Sequence, residues 1–159
     1  MASGEDALVF RDAVRDDLPR IIALLANDPL GSKRERLADP LPDCYHRAFD
    51  AIAADPNNRV IVVEHDGKII GTLQLTFIPN LTYAGGIRAQ IEGVRVDDAY
   101  RSRQVGRRLF EWAIEEARRH GCHMVQLTAD KTRPDAHRFY ESLGFTASHL
   151  GMKLHLPRD

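Results

Sequence analysis

Residues 90–119, QIEGVRVDDAYRSRQVGRRLFEWAIEEARR, decide the fold. They read as a buried strand, a short turn, a run of arginines around one glycine, and an amphipathic helix. The first backbone N–H groups of a helix have no partner four residues back, and the peptide dipoles add partial positive charge at that end. Arg101, Arg103, Arg107 and Arg108 crowd the same turn with further donors and charge. A strand end, a basic turn and a helix start in one crossover form a place to hold phosphate. The turn is expected to grip the pyrophosphate of a nucleotide-containing cofactor.

Composition narrows the alternatives. At 159 residues the chain is expected to form one domain, 1–159, with a buried core. Its net charge of -1 argues against a generally basic nucleic-acid binder, so any anion site must be local. Cys44 and Cys122 fit neither a disulfide framework nor a metal knuckle, and His120-x-x-His123 lacks a completing carboxylate or thiol, so no metal is expected. The first ten residues lack a signal core, and no apolar run reaches the ~18 residues needed to cross a bilayer. A cytoplasmic protein without membrane or nucleic-acid partners is the expectation.

The period changes along the chain. A strand is expected over 7–12 and a helix over 18–26, capped by Asp16 or Asp17, with Leu18, Ile21, Ile22 and Leu25 on one face. Three prolines mark 27–43 as a loop or broken helix, and a second helix covers 43–54, with Tyr45, Phe49 and Ile52 or Ala53 inward. Strands follow over 59–64 and 69–78, joined by a hairpin turn at 65–68. After a Gly-rich loop at 79–87 come the strand 90–97, a helix over 104–120 closed by Gly121, and a strand over 122–129. Pro134 opens a short helix to Leu143, and 145–156 supplies one or two closing strands. This order gives an α/β (mixed α+β) fold: a mixed, largely antiparallel sheet of six to seven strands, with about four helices on its two faces.

Neither a Walker loop nor a G-x-G-x-x-G dinucleotide fingerprint is present. The chain does resemble the GNAT superfamily of N-acetyltransferases. Ile91, Glu92, Val94 and Val96 match that family's I-E-x-V-x-V strand, and Arg101-x-x-Gln104-x-Gly106 its Q/R-x-x-G-x-G/A acetyl-CoA loop. Ala136, Phe139, Tyr140, Gly144 and Phe145 match its A-x-x-[LF]-Y-x-x-x-G-F motif. Two positions depart: Gln104 stands for the first loop glycine, and Arg133 for an asparagine that often positions the cofactor arm. The Gln104 N–H still points at phosphate if that residue keeps helical dihedrals.

The resemblance implies a GNAT-like sheet and acetyl-CoA as co-substrate. It implies contacts to the cofactor from Val94, Val96, Arg101, Arg103, Gln104, Val105, Gly106, Arg107, Asp130, Arg133 and Phe139. An amine attacking a thioester must be neutral, the carbonyl oxygen needs a donor, and the departing thiolate needs a proton. Tyr140 (reference pKa ~10) can supply that proton, and the resemblance places it at the sulfur. Glu92 is read on the same strand face as Val94 and Val96, as a general base, an ammonium anchor or a structural ion-pair partner. The Val94 N–H would donate to the acetyl oxygen.

Direct transfer to a primary amine of a small molecule (an amino acid, amino sugar or amine antibiotic) is the expected activity. Asp28, Asp39, Asp43 and Tyr83 are candidate acceptor contacts. Acetylation of a protein N-terminus or lysine, and a non-catalytic CoA-binding module, stay open as alternatives. Homodimers are common in the family, so a homodimer is a possible assembly.

Overall fold

Five strands form one sheet in the order β1-β2-β3-β4-β5 in the computed structural model, which describes residues 7–101 and 103–158. They are β1 (Val9–Asp12), β2 (Asn58–His65), β3 (Lys68–Pro79), β4 (Ile87–Val96) and β5 (Met124–Gln126). The first three pairings are antiparallel and β4–β5 is parallel. The helices are α1 (Leu18–Ala26), α2 (Gly31–Arg34), α3 (Asp43–Ala54), α4 (Thr82–Gly85), α5 (Val105–Arg119) and α6 (Pro134–Ser142). The described residues fall into two compact units that divide after Gln126, so the whole sheet and α1–α5 belong to the first.

The four longer helices lie where the periodicity predicts them. Within the 27–43 stretch α2 is a single turn, and α4 is one turn whose Tyr83 and Ala84 are left-handed, at φ 53° and 56°. The expected six to seven strands are corrected to five among the described residues. Residues 145–156 form no strand, although Leu150, Met152, Leu154 and Leu156 alternate as a strand would; all four are exposed. Period-two patterning states a preference, and a ladder also needs a partner edge.

The two faces of the sheet are covered differently. Phe10 of β1 stacks on Trp112 of α5 at 5.7 Å, Phe77 of β3 stacks on His120 at 3.8 Å, and Leu109, Phe110, Ala113 and Ala117 of α5 are buried. On the other face Leu18 and Ile22 of α1 pack with Leu41, Tyr45 and Phe49. Each such buried aliphatic side chain contributes about 2 kcal/mol. Gly121 (φ 77°) ends α5 because the reversal there is left-handed: its N–H bonds the Arg118 carbonyl, and the Cys122 N–H bonds that of Ala117.

Asp17 does not cap α1 with its side chain. Its carboxylate accepts from the Val14 N–H at 2.8 Å and from Arg11 Nη1 at 2.7 Å, while Arg11 also reaches Glu64 at 2.8 Å. Hydrogen bonding from Arg11, then from the Val14 amide, holds the Asp17 carboxyl below its ordinary value against the opposing effect of burial.

One irregularity in β4 shapes everything near it. Thr72 pairs with Arg95 and Gln74 with Glu92, so between these pairs one residue of β3, Leu73, opposes two of β4, Gly93 and Val94. The extra residue is a bulge at Gly93, φ 60°. It corrects the expectation that Glu92 shares a face with Val94 and Val96. Through its pairing with Gln74, Glu92 lies on the α1–α3 side and is exposed.

Two stability predictions follow from these contacts. Asp17→Asn should cost about 2 kcal/mol at neutral pH in urea unfolding. Because the folded-state pKa is lowered, the wild-type advantage is present above the ordinary carboxylate value and shrinks as pH falls through the folded one. A Cβ on Gly93 would meet only Leu25 Cδ2, at 3.8 Å. Gly93→Ala should therefore cost about 1–2 kcal/mol through its backbone conformation alone, with no repacking of α1.

Candidate active site

The β4–β5 ladder covers only Arg88, Ala89 and Gln90. From Ile91 onward β4 is paired on the β3 side alone among the described residues. The Asp97 N–H donates to the Ile70 carbonyl of β3 at 2.7 Å. Strand amides alternate in direction, so beyond the bulge the Arg95 N–H also points to β3 and those of Val94 and Val96 point to the open edge. The Val94 carbonyl accepts from Arg95 Nη1 at 2.7 Å, and Arg95 Nε lies 2.8 Å from Asp28 Oδ2. That pair ties the loop after α1 to the edge.

The basic turn follows within the same unit. Gln104 precedes α5 in a left-handed conformation, φ 61° and ψ 17°, which corrects the expectation of helical dihedrals there. It takes the backbone shape a glycine adopts without cost. The first bond of α5 runs from the Arg108 N–H to the Gln104 carbonyl, so the Val105 and Gly106 amides precede the i→i−4 ladder. Arg101 pairs with Asp98 at 2.7 Å, Arg103 lies over the Tyr100 ring at 5.1 Å, and Arg107 is 3.6 Å from Glu111. Exposed pairs of this kind are worth less than about 1 kcal/mol and exchange readily for a diphosphate.

The face carrying Glu92 is polar beyond the reach of α1 and α3. Asn58 Oδ1 accepts from Gln74 Nε2 at 3.1 Å and from Thr76 Oγ1 at 2.6 Å. Gln126 Nε2 donates to Gln90 Oε1 at 2.7 Å, and Arg88 reaches Gln126 and Asn80. Beside this floor a cavity of about 160 Å³ is lined by Leu25, Phe49, Thr72, Gln74 and Gly93. A more open cleft of about 430 Å³ lies against Asn27, Asp28, Ser32, Asp98 and Arg101.

Sequence reasoning missed Gln74, Arg88, Gln90 and Gln126. The signal was present in the alternation of Thr72, Gln74 and Thr76 with Leu73 and Leu75, and of Arg88, Gln90 and Glu92 with Ala89 and Ile91. The expected acceptor contacts fare differently. Asp28 is engaged by Arg95 and by the Gly31 N–H; burial raises its carboxyl, and the Gly31 amide, Arg95, the Leu30 amide and Arg34 acting together hold it below the ordinary value. Asp39 and Asp43 are exposed, and Tyr83 packs its ring on His123 at 4.7 Å.

The second unit holds the remaining candidates. Asp130 Oδ1 accepts from the Thr132 hydroxyl at 2.7 Å and its amide at 2.9 Å, which holds the Asp130 carboxyl below its usual value. Arg133 immediately precedes α6, with its amide on the Asp130 carbonyl. On α6 the rings of Phe139 and Tyr140 lie 5.6 Å apart, and Tyr140 meets Phe145 edge-on at 6.1 Å. The Phe145 amide bonds back to the Tyr140 carbonyl, so the aromatic motif is held by the end of its own helix.

This geometry can be set beside known proteins. The acetyltransferase (GNAT) family model matches residues 20–145. The chain is 30% identical over 142 residues to the aminoalkylphosphonate N-acetyltransferase of Salmonella typhimurium, covering 89% of this chain and 86% of that protein. It is 35% identical over 99 residues to the glucosamine 6-phosphate N-acetyltransferase of Trypanosoma brucei brucei, covering 62% and 65%. Among solved structures, a protein from Bacillus halodurans C-125 described as a transcriptional regulator is 52% identical, with TM-score 0.91 over 94% of this chain and 100% of that one. A Trypanosoma brucei acetyltransferase is 28% identical, with TM-score 0.76 over 94% and 100%. The chain belongs to the GNAT family of acetyltransferases.

Proposed function

We propose that this enzyme transfers the acetyl group of acetyl-CoA directly to a primary amine of a small molecule. The observation that carries the reading is the bulge at Gly93, which turns the Val94 and Val96 amides to an open edge and leaves Glu92 on a polar floor beside it. Both curated relatives described above are named for small amines that also carry a phosphorus acid, which supports a small-molecule acceptor.

The residues present suit the coenzyme. The open edge of β4 would pair with the pantetheine arm, and the Val105 and Gly106 amides with Arg101, Arg103, Gln104 and Arg107 would hold the diphosphate. In the second unit Asp130, Arg133 and Phe139 are the proposed further contacts. Acetyl-CoA supplies an activated acetyl thioester. Glu92 would take the proton of the incoming ammonium, directly or through water, the Val94 N–H would donate to the acetyl oxygen, and Tyr140 would return a proton to the departing sulfur.

An amine panel with detection of released CoA tests the reading, and failure across primary amines would refute it. Tyr140→Phe should lower kcat about 100-fold while keeping CoA affinity within about threefold, as expected for a lost proton donor. Unchanged turnover would remove Tyr140 from the mechanism. Gln104→Gly should add about 1 kcal/mol of stability by relieving the left-handed backbone, without weakening CoA in calorimetry. Weaker CoA binding would show that the Gln104 side chain contributes to the grip.

A further inference from the structure

The strand face that carries Glu92 also holds a guanidinium without a counter-charge. Each of the other described arginines in the strands has a carboxylate: Arg11 has Asp17 and Glu64, Arg59 has Asp12 and Glu116, and Arg95 has Asp28. Arg88 is half-buried and touches only neutral oxygens among the described residues. Nη2 donates to Asn80 Oδ1 at 2.9 Å and Nη1 to Gln126 Oε1 at 3.2 Å. Its Nε is buried with no hydrogen-bond partner. A guanidinium removed from water gains most from a planar anion that accepts two of its N–H groups, and amide oxygens do not neutralise it.

Its position gives this vacancy of charge a meaning. Arg88 pairs with Ile78, Gln90 with Thr76 and Glu92 with Gln74, so the three side chains share one face ahead of the bulge. Four residues of strand separate the Cα atoms of Arg88 and Glu92 by about 13 Å. Asn80 and Gln126 hold the guanidinium between the end of β3 and β5, and the Gln126–Gln90 pair continues the polar floor from there toward Glu92. One face thus offers a carboxylate and a guanidinium with amide groups between them, and the Cα span of about 13 Å leaves room for a small zwitterion with a hydrogen bond of about 3 Å at each end.

We infer that Arg88 binds the acidic group of the acceptor, a phosphonate, phosphate or carboxylate, while the acceptor's amine lies toward Glu92. The inference rests on the acetyltransferase reading and adds the chemical class of the acceptor. A solely structural Arg88, clamping Asn80 to β5, would give no preference among amines.

Matched short amines test it: 2-aminoethylphosphonate, O-phosphoethanolamine and β-alanine against ethanolamine and propylamine, with CoA release measured for wild type, Arg88→Gln and Arg88→Lys. The wild type should favour at least one acid-bearing amine over ethanolamine by about 10- to 100-fold in kcat/KM, the size of a charge-assisted pair. Which acid leads distinguishes phosphonate, phosphate and carboxylate. Arg88→Gln should erase most of that preference through KM, and Arg88→Lys should retain part of it.

Equal treatment of acid-bearing and neutral amines by the wild type would overturn the inference, as would a loss in Arg88→Gln that is the same for both. Should Arg88→Gln fail to fold, the Lys variant carries the test through its intermediate KM. Should no amine release CoA, the transfer reading fails by itself. Calorimetry of 2-aminoethylphosphonate and of β-alanine with the CoA-loaded protein then decides for Arg88. Binding lost in Arg88→Gln sustains the site, and absence of binding to the wild type overturns it.

Discussion

One additional residue in β4 is the constraint on which the rest depends. Without the bulge at Gly93, β4 would keep strict alternation and Glu92 would lie on the same face as Val94 and Val96. With it, the strand turns its carboxylate to the α1–α3 side and presents two amides at an edge that β5 no longer covers. A bulge normally weakens a ladder. Here Arg95 braces the distorted segment through the Val94 carbonyl and Asp28, and the Asp97 amide returns to β3.

Charge follows the same division between structure and chemistry. The arginines at the start of the sheet are neutralised by carboxylates and hold strands to helices, as Arg11 does for Asp17 and Arg59 for Glu116. Those of the turn before α5 sit in exposed pairs that water screens. With a net charge of -1, attraction of an anion depends on this local concentration at a helix start and not on the field of the whole molecule. Under the proposed reading the basic turn meets the diphosphate, and Arg88 meets the acceptor.

The sequence carried most of this in two kinds of signal. Helical spacing located α1, α3, α5 and α6, and strand alternation located β2 to β4, because apolar side chains must line a face to be buried. The motifs singled out Glu92, Tyr140 and the turn at 101–107 as the candidates that the proposed reading uses. What alternation does not carry is a change in its own count. A glycine inside IEGVRV is equally an ordinary strand residue and a bulge, and only the register with β3 tells them apart. The same holds for 145–156, which alternates without acquiring a partner edge, and for Gln104, whose left-handed backbone runs against its residue type. The polar floor was legible in principle, but Gln74, Gln90 and Gln126 lie far apart in sequence and gain meaning only once three strands set them side by side.

Amide hydrogen exchange at Val94 and Val96, with and without coenzyme A, tests the central claim most directly. Those two N–H groups face the open edge, so the account predicts ready exchange in the free protein and a slowing of about tenfold or more when the coenzyme pairs with them. The Arg95 amide, already directed at β3, should change far less. Saturation with coenzyme A that leaves Val94 and Val96 exchanging at their free rates would contradict the account.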